Sequence, residues 1–106
     1  MFLIGTLIID QKLYPRRSRA TKDTVEHLVV EVLDVKKAVG KLPQSEVELV
    51  KVLKHAMPAN AWGKRIEYKF ESENRFRILT TSPYPHWDMF EYDSAQSQKG
   101  VDIVRF

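Results

Sequence analysis

The sequence predicts an α+β fold, in which one long N-terminal helix packs on a small antiparallel sheet of three or four strands. In residues 21–39 the apolar positions recur at steps of three and four, which is typical of one buried helix face. In residues 65–72 and 75–81 apolar and polar positions alternate, which is typical of half-buried strands. A chain of 106 residues has room for one core, so residues 1–106 are expected to form a single domain.

The long helix is expected to occupy residues 1–40, and its apolar stripe ends at a glycine. The stripe consists of Val25, Leu28, Val29, Val32, either Val35 or Lys36, and Val39. The opposite side is charged and carries Asp23, Glu26, Glu31, Asp34 and Lys37. The β-branched valines lower helix propensity, so this helix should depend on packing against the sheet. Gly40 is expected to end it, and Pro15 is expected to bend or interrupt it.

The remainder, residues 41–106, is predicted to hold a short helix, the sheet and a C-terminal loop. Ser45 and Glu48 have the spacing of a capping box, which predicts a helix over residues 46–55. Residues 72–74 are a hairpin-length connection between the two alternating runs. Residues 82–100 are rich in proline, serine and glycine and are predicted to form a loop before a last strand at 101–105.

Composition excludes several classes of function. The chain has no cysteine, so it has no disulfide, no thiol nucleophile and no cysteine-based zinc site. Its three histidines are far apart in sequence and form no helical pair, which argues against zinc. No nucleophile elbow or phosphate loop is recognisable, so an enzyme is not predicted. The net charge of +3 does not by itself demand a polyanionic partner.

The N-terminus is apolar and is followed by a basic cluster. Residues 1–9 would rise about 14 Å as a helix, against roughly 30 Å for a hydrocarbon core, so they cannot span a bilayer alone. They also lack the basic start and cleavage site of a signal peptide. The basic cluster consists of Lys12, Arg16, Arg17, Arg19 and Lys22. Residues 1–9 are therefore interpreted as part of a longer helix or as a buried terminal segment.

Two short motifs frame the middle of the chain and carry a family resemblance. Gly40-Lys41-Leu42-Pro43 closes the long helix, and Asn60-Ala61-Trp62-Gly63 precedes the strands. With this element order, the chain resembles over nearly its whole length a pseudopilin of the type II secretion system (general secretion pathway), or a relative in the type IV pilin superfamily. The resemblance rests on the fold-motif residues Gly40, Pro43, Trp62 and Gly63.

The resemblance implies a non-catalytic structural subunit of a pseudopilus or pilus-like filament that assembles through its N-terminal helix. Its partners would be copies of itself, other pseudopilins and secretion-machine components. The family's glycine-phenylalanine cleavage and methylation site is missing, and the expectation is that the chain starts inside the helix. A full-length protein would then sit in the inner membrane of a Gram-negative bacterium with a periplasmic domain. A soluble relative that no longer assembles is the alternative.

The resemblance also assigns roles to residues. The assembly core would be formed by Phe2, Leu3, Ile4, Leu7 and Ile8, the headgroup or inter-subunit contacts by the basic cluster, and the variable surface by residues 83–100. The family's major subunit binds calcium in its last loop, and the corresponding acidic residues here are Asp88, Glu91, Asp93 and Asp102. These acids are alternatively solvated loop residues, in which case no cofactor is needed.

A second hypothesis is a small basic binding module for nucleic acid or anionic surfaces. The basic cluster would contact phosphates, and Tyr84, Trp87 and Phe90 would offer stacking surfaces. Steep weakening of binding with rising salt would distinguish this hypothesis. In the filament interpretation nucleic acid is not an expected partner, because a charge run is more often a membrane flank or a solvated face.

Overall fold

A computed structural model describes residues 2–83, 88–96 and 101–104, with side chains described for 14–83, 88–96 and 101. Six elements follow one another along the chain: α1 Phe2–Val39, α2 Glu46–Leu53, β1 Glu67–Ser72, β2 Arg75–Thr81, β3 Met89–Asp93 and β4 Asp102–Val104. The strands pair in the order β1-β2-β3-β4, each antiparallel to its neighbour. The prediction of a long helix packed on a small antiparallel sheet is confirmed.

The core lies between the second half of α1 and one face of the sheet. The predicted helix stripe is buried at Val25, Leu28, Val29 and Val32. Farther along the stripe Val35 is only half-buried, and Val39 is 56% exposed, so the prediction is wrong for Val39. On the sheet side, register places Tyr68 beside Ile78 and Ile78 beside Tyr92, so alternate residues of three strands share one face. On this face α1 lies against β2 and β3, and α2 lies against β1. The buried residues from the sheet side are Ile66, Tyr68, Phe76, Ile78 and Phe90. Burial of this apolar surface supplies the stability that the valine-rich helix lacks on its own.

The end of α1 was predicted correctly, but no interruption occurs at Pro15. Gly40 has a φ of +91°, which suits glycine, and its amide donates to the carbonyl of Lys36 at 2.7 Å. Pro15, in contrast, lies inside α1, which is one helix over Phe2–Val39. Of the two expected effects of Pro15, the interruption is therefore wrong, and the bend stays a prediction. A proline removes one backbone hydrogen bond, and a helix with many residues on both sides can continue past that loss.

The short helix α2 begins where the capping residues predicted. Ser45 Oγ accepts from the amide of Glu48 at 3.2 Å, and the Glu48 carboxylate accepts from the amide of Gln44 at 2.8 Å. The helix ends at Leu53, two residues before the predicted end. Lys54 has a φ of 63° and donates its amide to Val50, which closes the last turn.

The predicted loop over residues 82–100 contains a strand that the sequence interpretation missed. β3 pairs with β2 from Arg77 beside Asp93 to Thr81 beside Met89. Phe90 is fully buried there, so its proposed stacking on a nucleic-acid base is also wrong. The segment is only five residues long and is surrounded by proline and serine, so its alternation was hidden by loop composition. Tyr84 and Trp87 lie outside the described residues.

Candidate functional site

The Asn60–Gly63 turn is held by the side chain of Asn60, which is 5% exposed. Its Nδ2 donates to Thr80 Oγ1 and to the carbonyl of Thr81, both at 2.9 Å. Its Oδ1 accepts from the amides of Trp62 and Lys64, both at 2.9 Å. The buried side-chain amide of Asn60 thus accepts hydrogen bonds from the backbone of its own turn and joins that turn to β2.

The same turn contacts α1. The amide of Ala61 donates to Thr21 Oγ1 at 3.1 Å, and Thr21 is fully buried within the helix face. The ring of Trp62 lies between Tyr14 of α1 and Phe90 of β3, with centroid distances of 5.7 and 6.1 Å. The turn therefore fixes how the helix leaves the sheet domain.

The Gly40–Pro43 connection is attached to the other end of the sheet. The carbonyl of Pro43 accepts from the hydroxyl of Tyr68 at 2.6 Å. The Glu46 carboxylate accepts from the amide of Tyr68 at 2.9 Å and from the guanidinium of Arg65. Burial, and secondarily the charge of Glu48, raises the pKa of Tyr68 to about 12, so its hydroxyl remains a donor. The Asn60–Gly63 turn and the Gly40–Pro43 connection thus attach α1 to the sheet at two places.

The residues predicted for assembly lie on the N-terminal half of α1. Phe2, Leu3, Ile4, Leu7 and Ile8 are in helical backbone, and their side chains lie outside the described part, as does that of Lys12. Within the basic cluster, Arg16 and Arg19 are exposed, whereas Arg17 and Lys22 are half-buried. None of these four takes part in an ion pair with the residues whose side chains are described.

The acids predicted for calcium are not gathered into a free ligand set. Arg75 donates to both carboxylate oxygens of Asp93, at 3.1 and 2.6 Å, and this pairing holds the pKa of Asp93 below its usual range. Glu91 is bound by Arg77 at 3.2 and 3.0 Å. Asp88 is buried, and the side chain of Asp102 lies outside the described part. Among described residues no group of three or more metal-ligating side chains is present, and the calcium site stays a prediction.

A shallow groove beside α1 brings together residues that the sequence interpretation treated separately. It has a volume of about 360 Å³ and is lined by Asp23, Thr24, His27, Glu31, His55 and Pro58. His55 Nε2 lies 2.7 Å from Glu31 Oε2, and its Nδ1 lies 2.8 Å from the carbonyl of Ala56. Only the imidazolium form can donate from both nitrogens. The two partners are 24 residues apart, so periodicity gave no signal for this pair.

The His55–Glu31 pair predicts a pH dependence of stability. The hydrogen bond to Ala56, and next that to Glu31, raises the pKa of His55 above its ordinary value of 6.5. A raised folded pKa contributes stability that is fully present below the unfolded value and is lost as pH rises through the folded value. We expect the wild type to exceed His55→Gln in Tm at about pH 6, and this advantage to vanish by about pH 9.

The matched control for that measurement is His27→Gln, which removes a histidine from the same groove without touching Glu31. It should leave the pH dependence of Tm in place, whereas Glu31→Gln should weaken it. An advantage of the wild type over His55→Gln that is unchanged across this range would contradict the charged pair.

Comparisons with protein-family models, with curated proteins and with solved structures found no match to this chain. Among the helices of the described residues, none is long and apolar enough to cross a membrane.

Proposed function

We propose that this chain is a non-catalytic structural subunit that assembles through its N-terminal helix into a type II secretion pseudopilus or a related pilus-like filament. One observation carries the proposal: α1 is a single 38-residue helix, whereas its fully buried described residues begin only at Thr21. A helix of this length rises about 57 Å, comparable with the 55 Å longest extent of the molecule. The described residues between Tyr14 and Thr21 are half-buried or exposed, so this part of the helix can contact other molecules, and the proposal extends that contact to the residues before it.

The attachment of α1 supports the same proposal. A subunit that transmits force or position through a helix needs that helix fixed to its body. Here the Asn60–Gly63 turn contacts Thr21 and Tyr14, and α1 is followed by a buried Leu42-Pro43 connection that Tyr68 holds. These contacts are spread along the helix, so they resist both sliding and tilting. The pilin-like character of the fold is part of this proposal.

The partners would be further copies of this chain, other pseudopilins, secretion-machine components and, for a full-length protein, the inner membrane. Calcium is not needed for this assembly. Asp93 would have to give up its two bonds to Arg75 to act as a ligand, so the described residues fit the ion poorly.

Charged substitutions at Leu7 and Ile8 test the proposal. We expect Leu7→Arg with Ile8→Arg to abolish polymer formation by the full chain after detergent removal, because charges in an apolar helix contact remain desolvated and unpaired. Sedimentation and electron microscopy measure the polymers, and circular dichroism with Tm measures the fold. The expected Tm is that of the wild type.

Val47→Arg is the matched control, because Val47 is an apolar residue that is 68% exposed on α2. It should leave polymers intact. Polymers that survive the Leu7 and Ile8 substitutions, or a wild-type chain that stays monomeric, would refute assembly through this helix.

A further inference from the structure

Over residues 16–34 the outward face of α1 carries charges that are sorted by sign, and the basic Lys37 follows them near the helix end. Arg16 and Arg19 are exposed near the start of the described side chains, and Asp23, Glu26 and Asp34 follow. None of the five takes part in an ion pair with the residues whose side chains are described.

The arginines of the sheet region behave differently. Arg65, Arg75 and Arg77 each bind a carboxylate of the same chain. Among the residues whose side chains are described, these three arginines are thus paired within the chain, whereas the five charged residues on the outward face of α1 are not.

The spacing between the two signs is regular. Asp23 and Glu26 follow Arg16 and Arg19 by seven residues each, and Asp34 follows His27 by the same interval. Seven residues are nearly two helical turns, so each basic residue and its acidic counterpart lie on one face, about 10.5 Å apart along the axis. They are too far apart to pair within one helix, because such pairs form at three or four residues.

We propose that this face of α1 binds α1 of a second copy of the chain, parallel and shifted by seven residues. Arg16 and Arg19 of one copy then meet Asp23 and Glu26 of the next. The inference rests on the proposed function and deepens it, because it names the residues through which neighbouring subunits set their register. Val30 and Leu33, which are 57% and 44% exposed, lie among these charges and would be covered by the contact.

Two other arrangements fit the charges less well. A nucleic acid lying along the basic residues would meet Asp23 and Glu26 within two helical turns, which repel phosphate. An antiparallel pair of helices would match Arg16 with Glu26 and Arg19 with Asp23, but would leave Asp34 without a basic counterpart. The parallel shift places His27, whose ring can donate a hydrogen bond, opposite Asp34, so that all three acidic positions meet a donor.

Crosslinking between single cysteines tests the register, because the chain has no cysteine of its own. In the proposed contact, Val30 of one copy lies beside Lys37 of the next. Val30→Cys mixed with Lys37→Cys should therefore crosslink through a short bismaleimide far more than either variant alone, because only the mixture places two cysteines side by side. Loss of the two exposed ion pairs should lower that gain about tenfold. The yield should fall in high salt.

Charge reversal tests which copy supplies which sign. Arg16→Glu with Arg19→Glu in the Val30→Cys copy should remove the gain, and the same pair placed in the Lys37→Cys copy should not. Asp23→Arg with Glu26→Arg in the Lys37→Cys copy should then restore it. Lys51→Glu with Lys69→Glu makes the same change in net charge at two exposed sites and should have no effect.

Three results would overturn the contact. Equal crosslinking by Val30→Cys alone would show in-register pairing, and strong self-crosslinking of Ala20→Cys would show an antiparallel pair. Binding of single-stranded DNA that competes with the crosslink and weakens steeply with salt would assign the basic residues to a polyanion.

The outcomes also separate this contact from the filament proposal. Polymers that depend on Leu7 without the Val30–Lys37 crosslink would refute the contact alone. A crosslink without polymers would refute the filament alone.

Discussion

Replacing Asn60 with alanine is expected to lower the free energy of unfolding by about 3–4 kcal/mol. The substitution leaves the amides of Trp62 and Lys64 without their acceptor and the carbonyl of Thr81 without a donor. Each buried polar group that loses its partner costs about 1–3 kcal/mol, and partial access of water to the turn keeps the sum near the lower bound. Urea unfolding followed by circular dichroism measures the change.

Two variants sharpen this experiment. Asn74→Ala removes an exposed asparagine from the β1–β2 turn and should change stability by less than about 0.5 kcal/mol. Asn60→Asp keeps the acceptor for the two amides but loses the Nδ2 donor, so it should fall between the wild type and Asn60→Ala. If Asn60→Ala is as stable as Asn74→Ala, the hydrogen bonds of the Asn60 side chain do not stabilise the fold as expected.

Replacing Phe90 with alanine is expected to cost about 3–5 kcal/mol, as is usual for a large aromatic side chain removed from a closed core. Phe90 is fully buried on β3, and its ring contacts Trp62 at a centroid distance of 6.1 Å. The cavity would lie where β3 meets α1, so the near-ultraviolet signal of Trp62 should change along with stability.

Phe90→Leu is the conservative control and should cost less than Phe90→Ala, because most of the volume remains. Met89→Ala on the same strand removes a side chain that is only half-buried and should cost less as well. A loss below about 1 kcal/mol for Phe90→Ala would mean that β3 does not hold the helix.

Much of the fold could be predicted because its signals are local. The stripe from Val25 to Val32 and the alternation around Phe76 and Ile78 each identify one buried face, and both are buried, although the predicted helix stripe continued to Val39, which is exposed. Ser45 and Gly40 mark helix ends through bonds that span four residues or fewer. The misses were β3, whose five residues resemble their loop surroundings, and Pro15, whose cost the long helix absorbs.

The candidate site was predictable only in part. Trp62 and Gly63 were identified as a motif, but nothing local indicated that Asn60 would bind Thr80 and Thr81 twenty residues away. The His55–Glu31 pair was missed for the same reason.

The sequence by itself determined the elements and their buried faces, because hydrophobic period, caps and glycine positions act over a few residues. It also determined the seven-residue spacing between basic and acidic residues on α1, because that spacing is a property of the sequence alone. Only the tertiary structure decided which charges are paired internally. Arg75 pairs with Asp93 because β2 and β3 are neighbours, whereas Arg16 and Arg19 meet no carboxylate among the described side chains. Such pairings depend on contacts between distant segments, and local patterns carry no information about them.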